Sequence, residues 1–155
     1  MGERERKLEA LGYPINDVPG PGAIYKPVVV HGNTVYVSGA VPVANGKLTA
    51  KGKVPSEVSM EDAKISAALC AANNLRFVIQ ELGSLDKIAR VVRVTGYVNA
   101  DADFEDAHLV INGASELLRD VFGEDGVGAR SALGMGQLPI GASTEVEIIL
   151  ALKDD

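Results

Sequence analysis

Cysteine, histidine and positive charge are all in short supply in this chain, and each shortage removes a class of chemistry. Cys70 is the only cysteine among 155 residues, so no intrachain disulfide can form, and His31 and His108 are the only histidines. No Cys/His grouping has metal-ligand spacing, so no metal site is expected. Cys70 lies between Leu69 and Ala71 in a helical pattern, the setting of a structural thiol rather than a nucleophile. Two histidines do not allow a Ser/His/Asp triad to be assigned. A P-loop, an HExxH helix and a GxSxG elbow are missing, and Gly134-Met135-Gly136 lacks the third glycine and helix start of a dinucleotide fingerprint. No cofactor is therefore expected.

Lysine and arginine number 15 against 21 aspartates and glutamates, a formal net charge of −6. Such a chain repels phosphate backbones, so nucleic acid is not an expected partner. Near the start, Arg4, Arg6 and Lys7 interleave with Glu3, Glu5 and Glu9, a charged helix rather than a basic arm. There is no apolar run of the ~18 residues that a membrane helix needs. The charged first residues also differ from a signal peptide, and the expectation is a cytoplasmic chain without membrane attachment.

What is present fits a packed core: 46% of residues are hydrophobic, and the length suits a single domain over residues 1–155, with 1–22 as an N-terminal extension. Gly12 and Pro14 end the first helix, and Asn16 to Gly22 is an irregular connector. Residues 23–31 and 34–39 read as two strands around a Gly32-Asn33 turn, with Val35 and Val37 facing away from Thr34, Tyr36 and Ser38. Residues 40–58 read as a loop or weak edge strand. Ser59, with Asp62 three residues on, caps a long helix ended by Gly83, whose stripe of Ile65, Leu69, Ala72, Leu75, Ile79 and Leu82 is expected in the core. Ile88 to Asn99 is a strand in which Val92, Val94 and Val98 alternate with Arg93, Thr95 and Tyr97. A second amphipathic helix is expected from Asp101 or Asp103 to Gly123, followed by a flexible glycine-rich lead.

Two further strands close the chain. Arg130, Ala132, Gly134 and Gly136 lie on one side of the first, opposite Leu133 and Met135; Glu145 and Glu147 lie on one side of the second. If these strands pair with their apolar faces aligned, Arg130 and the two glutamates share the other face. The fold class is then α+β, a mixed sheet with two long helices on one face. The uncovered face, carrying Tyr36, Arg93, Tyr97, Arg130, Glu145 and Glu147, is too polar for a core and suits packing between identical subunits, with clefts between them for small ligands. An arginine in such a cleft can grip a carboxylate with two hydrogen bonds, although spacing alone favours a cross-strand Arg/Glu pair that merely balances charge. His31 and His108 read as solvated or packing side chains.

Tyr25, Val35-Tyr36-Val37-Ser38-Gly39, Val94 to Asn99 followed by Asp103-Phe104, Ala129-Arg130-Ser131, Leu138-Pro139 and Glu145-Val146-Glu147 occur in an order that resembles the Rid family, also called YjgF-like and historically named endoribonuclease L-PSP. The resemblance covers about residues 23–152. It implies a chorismate-mutase-like fold, a homotrimer with clefts between subunits, and hydrolysis of enamine/imine intermediates such as 2-aminoacrylate to a 2-keto acid and ammonia. Arg130 matches the arginine that binds the substrate carboxylate, and Glu145 the acid that positions water. Tyr25, Ser38 and Gly39 match substrate-binding positions of the cleft, as does Ala132, whose backbone could touch ligand. Ala132 stands where the best-known deaminases often have cysteine, which excludes a thiol role. Gly128 replaces a common proline, His108 falls near a common asparagine, and the longer connections resemble a less characterised branch.

Three functions compete. The first is a hydrolytic deaminase acting on a carboxylate-bearing imine. The second is a non-catalytic module that binds keto acids or related metabolites in the same cleft. The third, endoribonuclease or translation inhibitor, is opposed by the acidic charge.

Overall fold

The computed structural model describes residues 1–155. Helix α1 (Glu3–Ala10) is followed by strands β1 (Val28–His31) and β2 (Thr34–Ala40) and a small hairpin, β3 (Val43–Ala44) with β4 (Lys47–Leu48). Helix α2 (Met60–Leu82), strand β5 (Ile88–Asn99), helix α3 (Ala107–Phe122), β6 (Ala129–Met135) and β7 (Thr144–Leu152) complete the chain. The main sheet has the order β1-β2-β7-β5-β6; β5 and β6 are parallel and all other pairs antiparallel. Both long helices lie on one side of it, α2 over β2 and β7 and α3 over β5 and β6. The chain is thus α+β with a mixed sheet, as its element order predicts. No helix is long and apolar enough to cross a membrane.

Local chemistry sets the boundaries of α2. The Ser59 hydroxyl accepts from the Asp62 N–H at 3.1 Å, and Gly83 takes a left-handed conformation at the other end. Most of the expected stripe is inside, Ala72 and Leu75 fully and Leu69, Ile79 and Leu82 in part, but its first residue is not. Ile65 is 62% exposed, whereas Ala63, Ala67, Cys70, Ala71 and Val78 are inside. The reason is close approach between the helices: a Cβ on Gly113 of α3 would stand 2.0 Å from the Lys64 carbonyl of α2. Small residues therefore form the seam, and the larger Ile65 stands outside it.

Helix α3 begins later than expected, at Ala107. The Asp101 carboxylate is engaged elsewhere, accepting from the Ser56 N–H and hydroxyl at 2.9 Å each, which holds the preceding loop. The expected valine alternation in β5 is also interrupted. A register shift between Val91 and Arg93 buries Val91 and leaves Val92 exposed. Residues 123–126, expected to be flexible, form a tight 3-10 turn in which a Cβ on Gly126 would lie 2.2 Å from the Leu118 carbonyl. The first strand starts only at Val28.

The largest correction concerns β6 and β7, which do not pair. After β5, helix α3 returns the chain so that β6 runs parallel to β5 at the edge, and β7 then enters between β2 and β5. Arg130 lies beside Val94 and Ala132 beside Gly96, all on the helix-covered side. Ser131 lies beside Thr95 and Leu133 beside Tyr97 on the open side, together with Glu145 and Glu147. Arg130 and the glutamates consequently occupy opposite faces, two strands apart.

The α2/α3 seam yields a direct test. Gly113→Ala forces the helices apart and is expected to lower stability in chemical denaturation by about 1–3 kcal/mol. A loss below about 0.5 kcal/mol would show that the seam can yield.

Candidate functional site

The site begins at an irregularity between β2 and β7. Val37 pairs with Ile148 and Ala40 with Val146, so Ser38 and Gly39 together face the single residue Glu147. Such a bulge frees backbone carbonyls from the ladder. The buried Asn74 side chain of α2 takes them up, donating to the Ser38 carbonyl at 3.2 Å and the Val146 carbonyl at 3.0 Å. Gly39 then leaves room for the neighbouring acid: a Cβ there would lie 2.6 Å from Glu145 Oε2. The Ser38 hydroxyl donates to the Lys26 carbonyl at 2.6 Å, tying the segment that carries Tyr25 back over the same place.

A cleft of about 630 Å³ opens here, lined by Tyr25, Ser38, Gly39 and Glu145 and by apolar side chains including Val18, Val41, Phe77 and Ile140. Four of the six residues expected from the sequence thus converge. None of the lining residues is lysine or arginine.

Glu145 has no ion-pair partner; the chain's pairs are Lys7 with Glu3, Lys64 with Glu116 and Arg76 with Asp17. Burial, and then the charge of Glu147, push its carboxyl above the usual carboxylate range. Glu147 is itself committed, because the Tyr97 hydroxyl donates to its Oε1. That hydrogen bond, aided by burial, drives the Tyr97 phenol up to about 12, so it stays a donor. Two carboxylates therefore stand on one face with different tasks, Glu147 held by a tyrosine and Glu145 free at the cleft. The alternation predicted Arg130 on the same face as both glutamates; within one chain they lie on opposite faces, so Arg130 does not offset the shift of Glu145.

Arg130 and Ala132 sit at the β6 edge. Arg130 Nη1 donates to Asn112 Oδ1 at 2.8 Å and Ser115 Oγ at 3.3 Å, and Nη2 donates to the His108 carbonyl at 3.0 Å. A guanidinium has five N–H donors, so Nε–H and one Nη2–H remain without a protein acceptor. No acidic side chain occupies them. His108 contributes through its backbone, and its side chain is exposed.

The sequence reasoning missed the polar groups that build the cleft wall. Arg76 is 2% exposed; its Nε donates to the Pro14 carbonyl at 2.8 Å, its Nη1 to Asn73 Oδ1 at 2.8 Å, and its Nη2 lies 3.9 Å from Asp17 Oδ2. Asn73 donates in turn to the carbonyls of Val41 and Val43, both at 3.0 Å, and the Asp17 carboxylate accepts from the Asn45 N–H at 3.1 and 3.0 Å. The available signal was Asn73-Asn74 and Arg76 inside an otherwise apolar helix, since buried polar groups of that kind need partners. Ile140 was also missed. It has φ 54° and ψ 16°, a left-handed conformation that costs a β-branched residue about 1–2 kcal/mol.

An α+β chain with a five-stranded mixed sheet, two helices on one side and an acid-bearing cleft at a β-bulge belongs to a recognisable class. The YjgF/chorismate mutase-like family, which carries an endoribonuclease name, matches residues 5–151, and this chain belongs to it. Protein TCP17 of Trypanosoma cruzi is 32% identical over 154 residues, spanning 99% of this chain and 96% of that protein. The structure of Atu1372 from Agrobacterium tumefaciens superposes with a TM-score of 0.90 at 40% identity, covering 97% of this chain and 92% of the other. RidA of the Antarctic bacterium Psychrobacter shares 25% identity, with a TM-score of 0.60 over 88% of this chain and 94% of its own.

The raised Glu145 carboxyl has a consequence for stability. Folding favours its protonated form, so the associated stability is full below the unfolded value and is lost as pH rises through the folded one. Glu145→Gln should therefore melt above the wild type at pH 8, by less than about 1 kcal/mol because the group is half exposed to screening solvent. The advantage should disappear below about pH 4, the ordinary carboxylate range. A pH-independent difference in melting temperature would contradict this assignment.

Proposed function

We propose that this chain is a hydrolytic deaminase of carboxylate-bearing enamine/imine intermediates, releasing a 2-keto acid and ammonia. The observation that carries the reading is Glu145, half-buried, unpaired and shifted toward protonation, facing a cleft with Tyr25, Ser38 and Gly39. Arg130 supplies the complementary feature, a braced guanidinium with N–H donors left for a carboxylate. RidA in the name of one relative is consistent with this chemistry.

The two features are separate in one chain, so the complete site is formed between subunits. Val29, Tyr36, Leu133 and Met135 are substantially exposed around the open sheet face, which gives a surface for packing identical copies. In the resulting trimer, Arg130 and the backbone of Ala132 from one subunit meet the Glu145 cleft of the next.

The substrate carboxylate binds the free Nε–H and Nη2–H of Arg130, which places the imine carbon before a water held by Glu145. As the water oxygen bonds to that carbon, Glu145 takes its proton and passes it to the imine nitrogen. Glu145 then carries the second water proton from the hydroxyl of the tetrahedral intermediate to its nitrogen, so that the C–N bond breaks, ammonia leaves and the keto carbonyl forms. Imines already hydrolyse in water, so orientation and one proton relay suffice. A carboxyl raised from its ordinary value suits a relay that both accepts and returns a proton. The acidic cleft does not favour an RNA backbone.

Release of ammonia and keto acid from 2-aminoacrylate generated in situ tests the reading. Arg130→Ala and Glu145→Gln should each reduce turnover at least about a hundredfold while leaving the assembly intact. Mixing the two variants through unfolding and reassembly should restore activity in about a quarter of the sites, because some clefts then receive an intact half from each parent. Retained turnover in Arg130→Ala sinks the mechanism, and failure of the mixture to regain activity sinks the shared site. Keto-acid stabilisation without turnover identifies a binding module instead.

A further inference from the structure

The cleft is much larger than a three-carbon imino acid requires. Its volume of about 630 Å³ falls in the ~300–1,000 Å³ range of pockets that enclose drug-sized ligands. Beyond the Gly39 bulge the chain continues with Val41 and Val43; Val18 and Pro19 face the cleft from the N-terminal strap, Phe77 from α2, and Ile140 from the loop before β7. These six side chains come from four segments distant in sequence and are all apolar.

Two of the segments are tied to the third, α2, by one group. Arg76 binds the Pro14 carbonyl and lies 3.9 Å from Asp17, fixing the strap; Asp17 fixes the β3-β4 turn at Asn45. Through Asn73, the same guanidinium fixes the carbonyls of Val41 and Val43. A buried cation fastening two loop segments to α2 defines a wall, and the side chains that wall turns to the cleft are apolar. Ile140 completes it at 64% exposure in a left-handed conformation. A β-branched apolar residue held there gains nothing from local geometry or from the core, so its contribution lies at the cleft.

We infer that the strap, Val41, Val43, Phe77 and Ile140 form a specificity chamber for substrates with a branched or aromatic apolar substituent on the imine carbon. The inference rests on the deaminase reading and names its substrate class. Arg76 and Asp17 are positioning residues for this chamber and do not touch the reacting atoms. Water in the chamber is poorly partnered by its apolar walls, and each methylene that replaces it gains roughly fourfold in affinity.

Binding of 2-keto acids, the products of the proposed reaction, tests the chamber without depending on turnover. Calorimetry with pyruvate, 4-methyl-2-oxopentanoate and phenylpyruvate should give at least tenfold tighter binding for the two larger acids. Asp17→Asn, which loosens the strap, should reduce that ratio at least threefold. Ile140→Gly separates the chamber from a structural role: relief of the left-handed backbone should raise the melting temperature while the affinity ratio falls. Equal affinities for all three acids, binding of none, or an unchanged ratio in both variants overturns the inference. Size-ranked binding without turnover of the corresponding imines leaves the chamber standing and removes the deaminase reading alone.

Discussion

The amide of Asn74 holds together the two strands on which the rest of the site is built. A bulge in β2 leaves carbonyls that the ladder cannot satisfy, and burying them without partners would cost about 1–3 kcal/mol each. Asn74 donates to one carbonyl on each strand, Ser38 and Val146. The bulge can therefore sit beneath a packed helix, and only with the bulge does Gly39 come beside Glu145. One turn of the same helix carries Asn73 and Arg76, which fix the strap and the loop after β2. The buried polar residues Asn73, Asn74 and Arg76 of α2 stand where the cleft is built.

The position of β7 determines what the charged residues can do. Because β7 enters between β2 and β5, Glu145 and Glu147 stand beside Tyr97, and Arg130 is carried to the sheet edge under α3. An Arg/Glu pair on neighbouring strands would neutralise itself and leave neither group for a ligand. Separation keeps guanidinium donors open and lets burial shift Glu145. The three acceptors on Arg130 are neutral, so they orient the cation without cancelling its charge.

Elements governed by local chemistry were legible in the sequence. Ser59 and Gly83 mark the ends of α2 because a cap and a left-handed stop act within a few residues. The β-strand core of Val35, Val37, Val94 and Val98 follows the two-residue period and is buried. Features that depend on distant partners were not legible. Asp101 has the composition of a helix cap but is held by Ser56, and Ile65 has the spacing of a core residue but faces away from a seam that Gly113 makes narrow. Alternation placed Arg130 correctly relative to Leu133 and Met135. The face itself depended on which strand β6 joins, and exchanging β7 for β5 as neighbour reversed it. Four cleft residues came together because Tyr25, Ser38 and Gly39 are close in sequence and β2 pairs with the strand of Glu145.

Tyr97 explains how two adjacent carboxylates can share a sheet face without becoming equivalent. Residues two apart on a strand point the same way, so Glu145 and Glu147 repel each other and one must be stabilised for the other to respond. The phenol of Tyr97 donates to Glu147 and occupies one of its oxygens. The charge of Glu147 adds to the burial that raises the Glu145 carboxyl. The tyrosine thus acts on the cleft through Glu147 without entering it, and the asymmetry needs neither Arg130 nor a histidine in the same chain. A chain with two histidines and one buried cysteine can in this way still present a carboxyl held above its usual range at the cleft.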